Sequence, residues 1–103
     1  MVTVFQQPRS VEYRPLKFEA VQVKDIANNF NELKETNIEW VRGAIEKGII
    51  LYVREGDATY LVVRGPAAGD QVSVGDWLIH SPRTGHIHVF DDESYRAMFR
   101  EDN

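Results

Sequence analysis

Residues 72–80, Val-Ser-Val-Gly-Asp-Trp-Leu-Ile-His, set a tight turn at Gly75-Asp76 directly before a strand that carries Trp77. Glycine reaches backbone conformations other residues resist, and aspartate bonds its own backbone, so the pair punctuates short strands. Similar punctuation recurs at Glu55-Gly56-Asp57-Ala58, at Gly65 to Asp70 and at Ser81-Pro82-Arg83-Thr84-Gly85. A chain interrupted this often builds short antiparallel strands. The runs 49–54, 59–63, 71–74, 76–80 and 86–90 read as those strands, the first two joined as a hairpin. Asp91 or Asp92 then caps a short closing helix in which Tyr95, Met98 and Phe99 share a face.

The first half reads differently. Leu16, Phe18, Ala20 and Gln22 alternate with Lys17, Glu19 and Val21, which predicts a half-buried strand with Pro15 at its start or on an edge. Asp25 can cap a helix in which Ile26, Phe30 and Leu33 recur at i, i+4 and i+7, and Thr36-Asn37 breaks it and caps a second. In that second helix Ile38, Val41, Ala44 and Ile45 form an apolar stripe, Gly48 is the stop, and Trp40 lies beside the stripe, half exposed. Residues 1–10 are polar and contain Pro8, which predicts a flexible N-terminal arm and leaves 11–103 as one domain. The expected fold is α+β: a small antiparallel curved sheet or partial barrel with helices packed on one side.

Composition narrows the function classes. At 103 residues the chain holds one core, and 43% hydrophobic with 27% charged residues are ordinary globular values. Without cysteine there is no disulfide, no thiolate metal site and no cysteine nucleophile. The first residues lack a signal-peptide pattern, and no apolar run approaches the roughly 20 residues that span a bilayer, so a cytoplasmic protein without a membrane partner is expected. The net charge of −4 disfavours nucleic-acid binding, and Arg9, Arg14 and Lys17 read as solvated charges flanking a strand.

Three segments carry a resemblance. Tyr13 to Gln22 (Tyr-Arg-Pro-Leu-Lys-Phe-Glu-Ala-Val-Gln) resembles the opening strand of a group of small phage and prophage proteins of uncharacterised function. Val74 to Ile79 is similar to the Gly-Asp-Trp or Gly-Asp-Tyr turn of that group, and Phe90 to Phe99 resembles its closing helix. The matching pieces cover about a third of the chain, in the expected order. The middle helical region is longer than in the group, and His86-Ile87-His88 replaces its usual residues. The resemblance implies a phage-encoded accessory protein in the host cytoplasm and carries no activity with it.

Candidate chemistry centres on the histidines. His80, His86 and His88 fall within nine positions, and on a hairpin His86 and His88 share a face that His80 can meet across the turn. Three imidazoles converging this way hold zinc or another divalent metal, with Glu93 or Asp91 as an oxygen ligand or acid/base group. The bland alternative is that they are surface polar residues with Ile87 turned inward. Ser10, Ser73, Ser81 and Ser94 lack a nucleophile-elbow context, and no phosphate-loop or dinucleotide fingerprint occurs. The glycine-aspartate turns can present amides to a phosphate, but forming turns is their common job. Asp91-Asp92-Glu93 and Glu101-Asp102 read as a helix start and a solvated tail rather than a DNA mimic. Trp40, Tyr52 and Tyr60 are the aromatic candidates for an interface, Trp40 first because it lies off its helix's apolar stripe.

The leading expectation is therefore a non-enzymatic accessory protein that binds a host protein and needs no cofactor. The alternatives are a metal-binding module or small metal-dependent enzyme on His80, His86 and His88, and a small-molecule-binding module. The last requires a ligand-sized pocket rather than a filled core. Exposed sheet edges leave a homo-oligomer open.

Overall fold

The computed structural model describes residues 4–13, 16–25, 30–65 and 69–101. Among them the chain order is β1 (Arg9–Tyr13), β2 (Leu16–Gln22), α1 (Phe30–Lys34), α2 (Glu39–Glu46), β3 (Ile50–Glu55), β4 (Ala58–Arg64), β5 (Gly69–Val72), β6 (Trp77–His80), β7 (Ile87–Phe90), α3 (Asp92–Met98) and β8 (Arg100–Glu101). The protein is α+β and every strand pairing is antiparallel. The strands form two sheets, a five-stranded one ordered β7-β6-β2-β1-β8 and a three-stranded one ordered β3-β4-β5.

This division corrects the expectation of one curved sheet with helices on one side, and the reason lies at Gly75-Asp76. That turn joins strands of different sheets. Gly75, at φ 97°, donates its N–H to Val23 O at 2.8 Å and accepts from Gln22 Nε2 at 3.0 Å, while Val23 N–H donates to Asp76 O at 2.9 Å. The Asp76 carboxylate accepts from Ser73 N–H at 2.9 Å. The corner is thus pinned to the end of β2, so the strand after it pairs with β2 and not with β5.

Both faces of the larger sheet are covered, because strand side chains alternate between them. On one face Val21 and Leu78 join a core with Leu33 of α1, Val41, Ala44 and Ile45 of α2, and Ile50, Leu61, Val63 and Val72 of the smaller sheet. On the other, Val11, Ala20, Trp77 and Ile79 pack with Tyr95 of α3, flanked by Phe18, Phe90 and Phe99. The helices therefore sit on opposite faces. Trp77 and Tyr95 stack with ring centroids 3.7 Å apart, and the indole N–H donates to Asp92 at 2.9 Å. Asp91 caps α3 by accepting from Ser94 N–H at 2.7 Å.

Other differences have local causes. From Val4 onward the anticipated arm belongs to the packed structure: Val4 and Phe5 are buried, Phe5 bridges to Val23, and Arg9 opens β1. The alternation from Leu16 holds at Ala20 but not at its ends. Leu16 is 49% exposed, and Val21, on the supposed polar side, is fully buried because that face has its own core. Strand β8 had no pattern long enough to read; it pairs with β1, held by Arg9 donating to Glu101 at 2.6 Å. The helix expected to begin at Asp25 is described only from Phe30, and its anticipated contact Ile26 lies outside the described residues, as does Pro15. The second helix carries its apolar stripe inward and stops at Gly48, at φ 75°. Among the described residues no helix is long and apolar enough to cross a membrane.

Candidate functional site: a groove beside the Trp40–His80 stack

The face that α2 covers changes character within one strand rung. Val21, Leu78 and Val89 are register partners across β2, β6 and β7, and they belong to or pack against the core. The next same-face row is Glu19, His80 and Ile87. There the core ends and an open groove of about 750 Å³ begins between the sheet and α2. From the helix, Trp40, Gly43, Ala44 and Lys47 line it, a spacing of i, i+3, i+4 and i+7 that puts all four on one face. The helix therefore has two working faces, one into the core and one onto the groove. Glu39, Asn37, Gln7 and Pro8 contribute to the rim.

Trp40 lines the groove against the sheet. Its indole lies flat on the His80 imidazole, with centroids 4.7 Å apart and planes within 10°. Trp40 Nε1 and His80 Nδ1 are both buried and reach no hydrogen-bonding partner among the described residues. Such groups each cost roughly 1–3 kcal/mol unless paired. Burial pushes His80 below the ordinary imidazole pKa, and the neighbouring Glu19 carboxylate offsets this only in part. The imidazole is accordingly neutral around pH 7.

Three charged side chains line the groove, Glu19 half-buried and Glu39 and Lys47 exposed. Among the described residues the side chains of Glu19, Glu39 and Lys47 make no ion pair, whereas Arg9, Lys17 and Arg96 do, with Glu101, Glu12 and Asp92. Gly43 is an anomaly. It stands in the middle of α2, where glycine costs about 1 kcal/mol relative to alanine. A Cβ built on it would meet nothing within 4 Å, so internal packing does not require glycine there.

The histidines do not converge. His80 pairs with Ile87 on the α2 face, while His88 pairs with Ile79 and shares the α3 face. Register partners share a face and successive residues oppose, so with Ile87 opposite His80, His88 one residue on points to the other side of the sheet. His86 and His88 are neighbours, with ring centroids 6.4 Å apart. Asp91 is occupied as the α3 cap and Glu93 is exposed. Among the described residues no group of three or more His, Asp or Glu side chains is placed to hold a metal ion.

The aromatic candidates also separate. Trp40 faces the groove. Tyr52 pairs with buried Leu61 and packs against the core, whereas Tyr60 pairs with Val53 on the outward side and donates its hydroxyl to Glu55 at 2.9 Å. Glu19, Gly43 and Lys47 were missed at the level of sequence. The available signal was the pairing of an off-stripe Trp40 with a mid-helix glycine three residues later, which marks a second helix face.

In comparisons with protein-family models, curated proteins and solved structures, the chain matches none.

Proposed function

We propose that the protein is a non-enzymatic binding module of the phage accessory type and that it holds a small molecule in the groove beside Trp40 and His80. One observation carries this reading: the groove's volume of about 750 Å³ falls within the roughly 300–1,000 Å³ of small-ligand sites. Its lining suits binding better than catalysis. Trp40, Ile38, Ala44, Ile49 and Ile87 supply apolar surface, and a few polar groups supply orientation. The mid-helix glycine supports the reading too, since it leaves the α2 backbone open to close approach by a ligand.

The test is native mass spectrometry of protein purified gently from host-like cells. A bound mass of a few hundred daltons is expected on the wild type and is lost in Gly43→Leu, whose side chain fills the groove. Retention of the same mass by Gly43→Leu, with the fold intact by circular dichroism, contradicts the assignment.

A host protein is the second reading, favoured by the outward side of the smaller sheet. Leu51, Val53, Tyr60 and Val62 alternate away from the core there and are only half-buried. Tyrosine and branched apolar side chains on one flat face suit a partner surface. Val53→Lys abolishes co-purification of a host protein if that face is used, and leaves it unchanged otherwise.

A further inference from the structure

We propose that the occupant of the groove is a small organic cation, an alkylguanidinium or alkylammonium, with its positive group at the Trp40 end. This deepens the small-molecule reading and rests on it. Trp40 and His80 both line the groove, the imidazole stacked on one face of the indole, and Trp40 is half exposed. Electron-rich indole faces attract cations.

The charges around that wall do not balance. Glu19 comes from β2 and Glu39 from the first turn of α2, and among the described residues neither has a counter-cation. His80, neutral, does not compensate them. Among the described residues Lys47 is the one lysine or arginine of the lining. It stands seven residues beyond Trp40, about 10 Å along the helix at 1.5 Å per residue. The groove is therefore graded, acidic and aromatic at one end and basic at the other. A cationic head enters the first end, and an acceptor or anionic tail is tolerated at the second.

Gly43 lies between the two ends. Its open Cβ position lets an alkyl chain run against the α2 backbone, which is the span that connects a head at Trp40 to a tail near Lys47. A planar guanidinium suits the head best, because it stacks on aromatic faces and bonds carboxylates through paired N–H groups.

The experiment titrates the ¹⁵N-labelled full chain with n-butylguanidinium and with n-butylurea, its uncharged near-isostere, following the two indole N–H signals. Butylguanidinium is expected to move the Trp40 signal and the Gly43 amide while Trp77, already bonded to Asp92, stays fixed. Butylurea is expected to leave all of them in place. Glu19→Gln and Glu39→Gln are each expected to weaken binding by about threefold to tenfold, and Lys47→Gln to leave it unchanged or tighter. A glycine-flanked arginine peptide separates the sources of this chemistry: weaker binding than butylguanidinium supports a free small molecule, and tighter binding overturns it in favour of a protein side chain. Equal shifts with butylurea overturn the charge preference while leaving the groove a small-molecule site. No shift with either probe overturns the inference, and a bound native mass that survives Gly43→Leu overturns the underlying reading separately.

Discussion

The His80 imidazole lies flat against the Trp40 indole, 4.7 Å between ring centroids, although the two residues are forty positions apart and come from a strand and a helix. The contact joins α2 to the larger sheet at the point where the core gives way to the groove. Two buried ring nitrogens at this junction have no partner among the described residues, so the stack is held by ring packing and not by hydrogen bonds. Removing the indole should therefore loosen the helix locally. Trp40→Ala is expected to lower stability by about 2–3 kcal/mol, below the 3–5 kcal/mol of a fully buried tryptophan because the ring is half exposed. Chemical denaturation with circular dichroism measures it, and a change under about 0.5 kcal/mol contradicts the role given to the stack.

His80 makes stability depend on pH in a stated direction. Its folded-state pKa lies below the ordinary value of about 6.5, chiefly through burial, with Glu19 across the strand pair opposing the shift. Glu39 and Lys47 of α2 share the groove with it. As pH falls past the ordinary value the unfolded chain binds a proton before the folded one does. The contribution is thus complete above that value and is lost as pH falls through the lower, folded pKa. The thermal midpoint should decline as pH falls below the ordinary imidazole value, and His80→Gln should flatten that part of the profile.

Gly43→Ala should separate folding from function. The substitution adds a methyl group where nothing lies within 4 Å and removes a helix-interior glycine. Stability is expected to rise by about 1 kcal/mol, while ligand retention in native mass spectrometry falls. A variant that is more stable and binds as well as the wild type would leave the glycine without a role in the groove.

The α3 side of the sheet yields an alkaline prediction. Burial and the neighbouring Glu101 carboxylate push the Tyr95 hydroxyl up to about 12. The unfolded chain ionises near the ordinary tyrosine value of about 10. The stability tied to this group is therefore present below that pH and lost as pH rises through the folded value. Tyr95→Phe removes this loss, and it also removes the bond from the hydroxyl to Glu101 at 3.2 Å. Its denaturation midpoint should fall slightly at neutral pH and vary less above about pH 10.

Much of the fold was legible because local chemistry and tertiary context agreed. The stripe Ile38, Val41, Ala44 and Ile45, the stop at Gly48, the hairpin through Gly56 and the Asp91 cap all depend on residues near one another in sequence. The split into two sheets was not legible, because it depends on Gly75 bonding Val23, fifty-two positions earlier. The same limit hid the site. Trp40 was visible as an off-stripe aromatic, but only strand register puts Glu19 and His80 in one row, and only that register separates His80 from His88. The histidine spacing suggested convergence, whereas a turn containing Gly85 shifts the second strand so that the parities oppose.

If small molecules bind at the Trp40–His80 junction, the two tryptophans report it directly. Trp77 Nε1 is bonded to Asp92 and Trp40 Nε1 has no partner among the described residues, so their indole signals report on the α3 and α2 sides independently. The measurement is a ¹H–¹⁵N correlation spectrum of the full chain against pools of small polar metabolites. The account predicts pool members that move the Trp40 indole signal together with the Gly43 and Lys47 amides while Trp77 stays still. Pools that leave Trp40 unmoved, or that shift Trp77 and the α3 side instead, would contradict it.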